Sequence, residues 1–240
     1  MSPEIVKELA PHGVLRVAIN MSNILLVTGQ NNQGDPTGVS PDIAAELARR
    51  LGVKLKLLQY KTAGDIADDA GTDSWDICNI GDEPKRAETI DFTAAYCEIQ
   101  ATYMVLENSP LKTVEQVDSP GVRIAVSARS AYGLWLERNI KKAELCRVQG
   151  FEASLGLFVN GDSDALAGLR SQLAIDVEKI SGVKILDGQF TAVQQAIGCN
   201  KGRDLGATYL KQFVEDVKAN GLVENLIDKH DVIGRLTVAS

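Results

Sequence analysis

The sequence predicts an α/β fold. Strand-like and helix-like segments alternate through most of its 240 residues. The apolar and charged fractions, 45% and 24%, are those of an ordinary globular chain. The helical segments carry a 3.6-residue apolar stripe: "PDIAAELARRLG" sets Ile43, Leu47 and Leu51 on one face. The length suits one large domain or two small ones with ample core.

The elements follow in order. Ser2 caps a short helix, "PEIVKELA", with Pro3 in its first turn. "LRVAIN" (15–20) reads as a strand, and the turn formers of "NNQGDPTG" close a hairpin after "ILLV". Ser40 caps the next helix, Pro41 opens it and Gly52 ends it. "VKLKLLQY" alternates as a strand, "AGDIADDA" is a short helix, "WDICNI" a strand and "CEIQATYMVL" a long extended run. "SPLKTVEQV" is a capped short helix, "VRIAV" a strand and "SAYGLWLERNI" a helix. "LCRVQ", "ASLGLFVNG" and "SDALAG" continue the alternation. "VKILDGQFTAVQQAIG" is strand-like with a turn at Asp187-Gly188. "RDLGATYLKQFVEDVKANG" is a strongly amphipathic helix stopped by Gly221; a last helix, "LVENLIDKH", precedes a polar tail. No low-complexity tract, heptad, internal repeat or phosphate-cradling glycine loop stands out.

Bulk properties exclude several function classes. A net charge of −7 disfavours nucleic acid and anionic membranes. No apolar run of about 18 residues marks a membrane-spanning helix, so no direct membrane insertion is expected. The N-terminus lacks a basic segment followed by an apolar one, so the protein is either cytoplasmic or has lost a leader. Cys78, Cys97, Cys146 and Cys199 form no metal or redox spacing and read as unpaired thiols, which leans toward a reducing compartment. The two histidines, His12 and His230, lie near the chain ends in polar surroundings, which disfavours a histidine triad or metal site.

One stretch needs a chemical explanation: "GDEPKRAETIDFTAAY", Gly81 to Tyr96. Arg86, just past a strand in an acidic chain, is either a solvated charge or an anchor for an anion. The stretch, with "GVLRVAIN", "GVSPDIAAELARRLGVKLKLL", "VDSPGVRIAVSARSAY", "VNGDSDALAG" and "VQQAIGCNKGRD" in this order, resembles the family 3 extracellular solute-binding proteins of ABC importers, the polar-amino-acid-binding type. The resemblance implies two α/β lobes of the type II periplasmic-binding fold around a ligand cleft that closes by a hinge motion. Lobe 1 would be 1–96 plus 196–240, lobe 2 101–190, with hinges near 97–100 and 191–195. It implies a monomer that binds a small polar or anionic ligand, an ABC permease as partner, and no cofactor, metal or catalytic residue. It favours the periplasm where a leader has been removed.

Carried onto this chain, the family's pattern assigns the ligand carboxylate to Arg86, whose planar fork matches it with two charge-assisted hydrogen bonds. Asn79 and Gly81 stand where the family has a second carboxylate grip, in a segment about two residues shorter. Asn20 and Asn23 stand where aromatics and Asp are common. In lobe 2, Ser127, Arg129 and Ser130 lie on the ligand-facing loop, and Gln194 lies on the return crossover. The family's partner for a ligand ammonium is missing: Gly168-Leu169 occupy its place, followed by Arg170. Asp164 reads as structural, and Trp75, Trp135 and Tyr132 as packing residues. A small carboxylate without a charged amine suits this set. Two alternatives remain: an enzyme on the same fold resembling cyclohexadienyl dehydratases, with Asp82 or Glu83 as acid, and a cytosolic sensor or scavenger.

Overall fold

The structure, a computed structural model, describes residues 2–240. In chain order its elements are α1 (Pro3–Leu9), β1 (Val14–Asn20), β2 (Gly29–Gln30), β3 (Pro36–Thr37), α2 (Val39–Leu51), β4 (Lys54–Tyr60), α3 (Ala63–Asp68), β5 (Ile77–Gly81), β6 (Ile90–Leu106), β7 (Arg123–Ser127) and α4 (Ala131–Asn139). There follow β8 (Glu144–Val148), α5 (Phe151–Val159), β9 (Ala165–Leu169), α6 (Arg170–Val177), β10 (Val183–Ile185), β11 (Thr191–Asn200), α7 (Asp204–Ala219), α8 (Leu222–Lys229) and β12 (Thr237–Val238). The chain divides into two compact units: unit 1 runs to Glu98 and resumes over Gln194–Ser240, and unit 2 is Ile99–Val193.

In unit 1, β4, β1 and β5 are parallel, and β11 joins β5 antiparallel with Gln195 opposite Gly81. Helices lie between successive parallel strands, so both faces of β1 are covered and Val17, Ala18 and Ile19 are all fully buried. The stripe of α2 buries Ile43, Leu47 and Leu51, and Gly52 ends the helix in the left-handed region at φ 71°. Its start differs from the sequence reading. The helix begins at Val39 after Gly38, and Ser40 lies inside it. Gly38 has φ 147°, and a Cβ there would sit 2.3 Å from the Leu26 carbonyl oxygen, so only glycine admits the approach. The Leu26 carbonyl accepts the Ser40 N–H at 3.1 Å, and no side chain is needed as a cap. The hairpin strands are β2 and β3, with Ile24–Val27 outside them. The tail after α8 is partly buried: Leu236 and Ala239 are covered and β12 pairs with β6.

In unit 2, β8, β7 and β9 are parallel, β9 pairs antiparallel with β6, and β10 pairs with β6 beyond Tyr103. Phe190 stacks obliquely on Tyr103 at 4.6 Å and on Trp135 at 5.5 Å within the core. "ASLGLFVNG" is largely helical, in α5. "TVEQV" forms a 3-10 turn, Val114–Val117, with a Thr113–Gln116 capping box, in place of the expected helix. Pro110 and Pro120 flank it closely, which limits its length.

The two units repeat one device that the sequence pattern conceals. In unit 1 the Asp76 carboxylate accepts the backbone N–H of Arg16 at 2.9 Å and its Nε at 3.0 Å and Nη2 at 2.8 Å, while Asp76 N–H donates to the Arg16 carbonyl. In unit 2 Asp164 accepts Arg123 N–H at 2.8 Å, Nε at 3.2 Å and Nη2 at 3.1 Å, and Asp164 N–H donates to the Arg123 carbonyl. Each clamp pins a parallel strand, β1 or β7, to the residue just before its neighbour, β5 or β9.

Candidate functional site

In unit 1 the candidate residues collect at the carboxyl ends of β1 and β5. β5 is buried throughout, from Ile77 to Gly81. The chain then turns through Asp82–Lys85 into a single 3-10 turn, Arg86–Glu88. Pro84 and the return of Ile90 to the core as the first residue of β6 hold that turn short. Arg86 is 4% exposed, and its Nη1 donates to the Gly81 carbonyl at 2.8 Å. That bond seats the guanidinium at the end of the strand. Lys85 is exposed.

The acids around Arg86 differ in setting. Glu83 is almost fully buried, and its Oε2 accepts the Lys85 N–H at 3.0 Å. The Asp82 carboxyl is pushed up by desolvation and drawn back by the Arg86 charge. Asp82 N–H donates to the Gln194 carbonyl at 2.8 Å, tying this turn to β11. Gln194 Nε2 donates to Glu98 Oε2 at 2.9 Å.

The asparagines mainly build loops. Asn20 Oδ1 accepts from the N–H and hydroxyl of Ser22, and Asn23 Oδ1 accepts from Leu25 and Leu26 N–H groups. Asn79 is buried, with its NH₂ on the Ser40 carbonyl (3.1 Å) and hydroxyl (2.9 Å), while its Oδ1 is buried without a partner. Sequence reasoning missed Ser40 in this role because the Ser-Pro pair signals a cap equally well.

In unit 2 the candidates surround the start of α4. Ser130 is its N-cap: Oγ accepts Gly133 N–H at 3.0 Å and donates to the Ser127 carbonyl at 2.7 Å. Gly133 permits this tight entry, since a Cβ there would lie 2.6 Å from the Ser127 carbonyl oxygen. Arg129 is exposed at φ 64°, a left-handed conformation that costs a non-glycine residue about 1 kcal/mol or more. The Tyr132 hydroxyl is pushed up to about 12 by burial, against the lowering effect of Ser130 and Ser127. Arg170 is directed elsewhere: Nη2 donates to the carbonyls of Leu186 (3.1 Å) and Gly188. Gly168 is packed so closely that a Cβ would meet Leu173 at 2.9 Å.

The thiols of Cys78, Cys97 and Cys199 are buried and unpaired, and desolvation raises each above its ordinary range. Among the described residues no group of three or more His, Cys, Asp or Glu side chains is placed to hold a metal, and no helix is long and apolar enough to cross a membrane.

Known proteins place the fold and the family. A search of curated proteins returns no match. Among solved structures, the solute receptor for L-cysteine of Neisseria gonorrhoeae superposes with a TM-score of 0.79 at 17% identity, covering 99% of this chain and 100% of that one. An ancestral amino acid-binding protein, a precursor of cyclohexadienyl dehydratase, gives 0.74 at 23% identity, covering 93% and 98%. Holo ArgBP from T. maritima gives 0.71 at 20% identity, covering 91% and 98%. These likenesses establish the fold. The family model for bacterial extracellular solute-binding proteins, family 3, matches residues 15–231, nearly the whole chain, and this protein belongs to that family.

Proposed function

We propose that the protein captures a small, polar, carboxylate-bearing solute as the binding component of an ABC-type uptake system, outside the cytoplasmic membrane. The observation that carries this reading is Arg86: a buried guanidinium seated at the carboxyl end of β5 by the Gly81 carbonyl. A planar fork fixed at that strand end matches a carboxylate by parallel charge-assisted hydrogen bonds. The Ser127–Ser130 loop, at the N-terminus of α4, supplies polar groups from unit 2. Asn20, Asn23 and Asn79 take supporting roles, since their located bonds are to the protein's own loops. Closure of the units over the solute would do the work, by binding and without turnover. The amino-acid ligands named for several similar structures make amino acids the first compounds to try, alongside simple carboxylates.

The test is a thermal-shift screen of small acids, amino acids and amines, followed by calorimetric titration of the best compound against the parent, Arg86→Ala and Arg86→Lys. The expected result is a loss of about 100-fold or more in affinity for Arg86→Ala, equal to about 2.7 kcal/mol, with partial retention by Arg86→Lys. Equal affinity in a folded Arg86→Ala protein would overturn the assignment.

A further inference from the structure

We propose that Glu98 and Gln194 form a latch that fixes the two connecting segments at their unit-1 ends and makes them one mechanical piece with the seat of Arg86. The chain leaves unit 1 after Glu98 on β6 and returns at Gln194 on β11. There the Gln194 amide donates to the Glu98 carboxylate at 2.9 Å, across 96 positions of sequence. Both residues are tied again through their backbones. The Gln194 carbonyl accepts Asp82 N–H at 2.8 Å, and Gln195 stands opposite Gly81, whose carbonyl holds Arg86. On the other side, β12 lies along β6 with Thr237 opposite Glu98 and Val238 opposite Cys97, and Ala239 N–H donates to the Tyr96 carbonyl at 3.3 Å.

A continuous route therefore runs from Arg86 through Gly81, Asp82, Gln194 and Glu98 to the C-terminal strand, every step within unit 1. Strands bonded on this pattern resist bending. Motion between the units is then confined to the residues beyond the latch, Ile99–Gln100 and Thr191–Val193. Gln194, which the family resemblance set among ligand contacts, is in this account a positioning residue. The link to solute capture rests on the proposed role of Arg86, but the latch itself is tested without solute.

Hydrogen exchange read by mass spectrometry on the ligand-free protein supplies the test, comparing the parent with Glu98→Ala, Glu98→Gln and a variant lacking Thr237–Ser240. Glu98→Ala and the truncation are expected to speed exchange of peptides spanning 96–101 and 192–197 by about tenfold or more, leaving β1 and β4 peptides unchanged, while Glu98→Gln, which keeps an acceptor for Gln194, stays within about twofold of the parent. Three outcomes would overturn the latch: no change in those peptides for Glu98→Ala, an equal rise throughout unit 1, or Glu98→Gln behaving as Glu98→Ala. A latch that passes while Arg86→Ala binds normally would sink the solute-anchor reading alone.

Discussion

Asp76 and Asp164 make the same bonds in different surroundings, and the difference sets what each is worth. Asp76 is fully buried and bonded to Arg16, with the Arg203 guanidinium 3.6 Å away. Asp76→Ala takes away the buried partner of Arg16 and leaves its guanidinium only the exposed Asp73, bonded at 2.7 Å, so it is expected to cost about 3 kcal/mol in urea unfolding, the low end for a broken buried pair. The Asp164 side chain is 41% exposed, so water compensates and its loss should cost clearly less. The bonds from Arg123 hold the Asp164 carboxyl below its ordinary 3.8. A depressed carboxyl contributes stability above the unfolded-state value, and this is lost as pH falls through the folded one. The stability gap between parent and Asp164→Asn should therefore shrink as pH falls from neutral through the ordinary carboxyl value of 3.8 and below it. A gap that stays constant over that range would show that the charge contributes nothing.

At the scale of the element, close approach decides more than propensity does. Gly198 in β11 faces the packed side chains of unit 1: a Cβ there would lie 2.4 Å from Ile90 Cγ2 and 3.0 Å from Cys78 Sγ. Gly198→Ala is expected to destabilise by about 1–3 kcal/mol, measured by thermal or urea unfolding, although Ala has the better strand propensity in isolation. The same rule explains which elements were legible. The α2 stripe, the alternating β4 and the amphipathic α7 could be read from spacing because their burial follows a fixed period. The start of α2 could not, because Gly38 is required by Leu26, twelve positions upstream and brought near only by the fold. The β12 strand was read as tail because two residues carry no periodicity; its partner, Cys97–Glu98, lies far back in the chain.

At the scale of the whole molecule, a chain that enters unit 2 after Glu98 and leaves it after Val193 carries two connections, each ordered by bonds on the unit-1 side. A solute that binds only the folded protein stabilises it by mass action, by about 2.7 kcal/mol at one hundred times Kd. The best compound of the screen is therefore expected to raise the unfolding midpoint with the logarithm of its concentration above Kd, and a midpoint that plateaus after a small rise would show that it binds the unfolded chain nearly as well as the folded one.

The sequence by itself determined the α/β class, the order of most strands and helices, and the resemblance that matched the family, since these depend on local periodicity, turn chemistry and motif order. It also marked Arg86 as the residue to explain. Only the tertiary structure decided that this guanidinium is buried and braced by Gly81, that the Asn79 amide turns to Ser40, that Arg170 turns to the carbonyls of Leu186 and Gly188, and that Gln194 meets Glu98. Each of these is a hydrogen bond made by a side chain whose choice of partner depends on which backbone groups the fold leaves within about 3 Å, a distance no sequence spacing encodes.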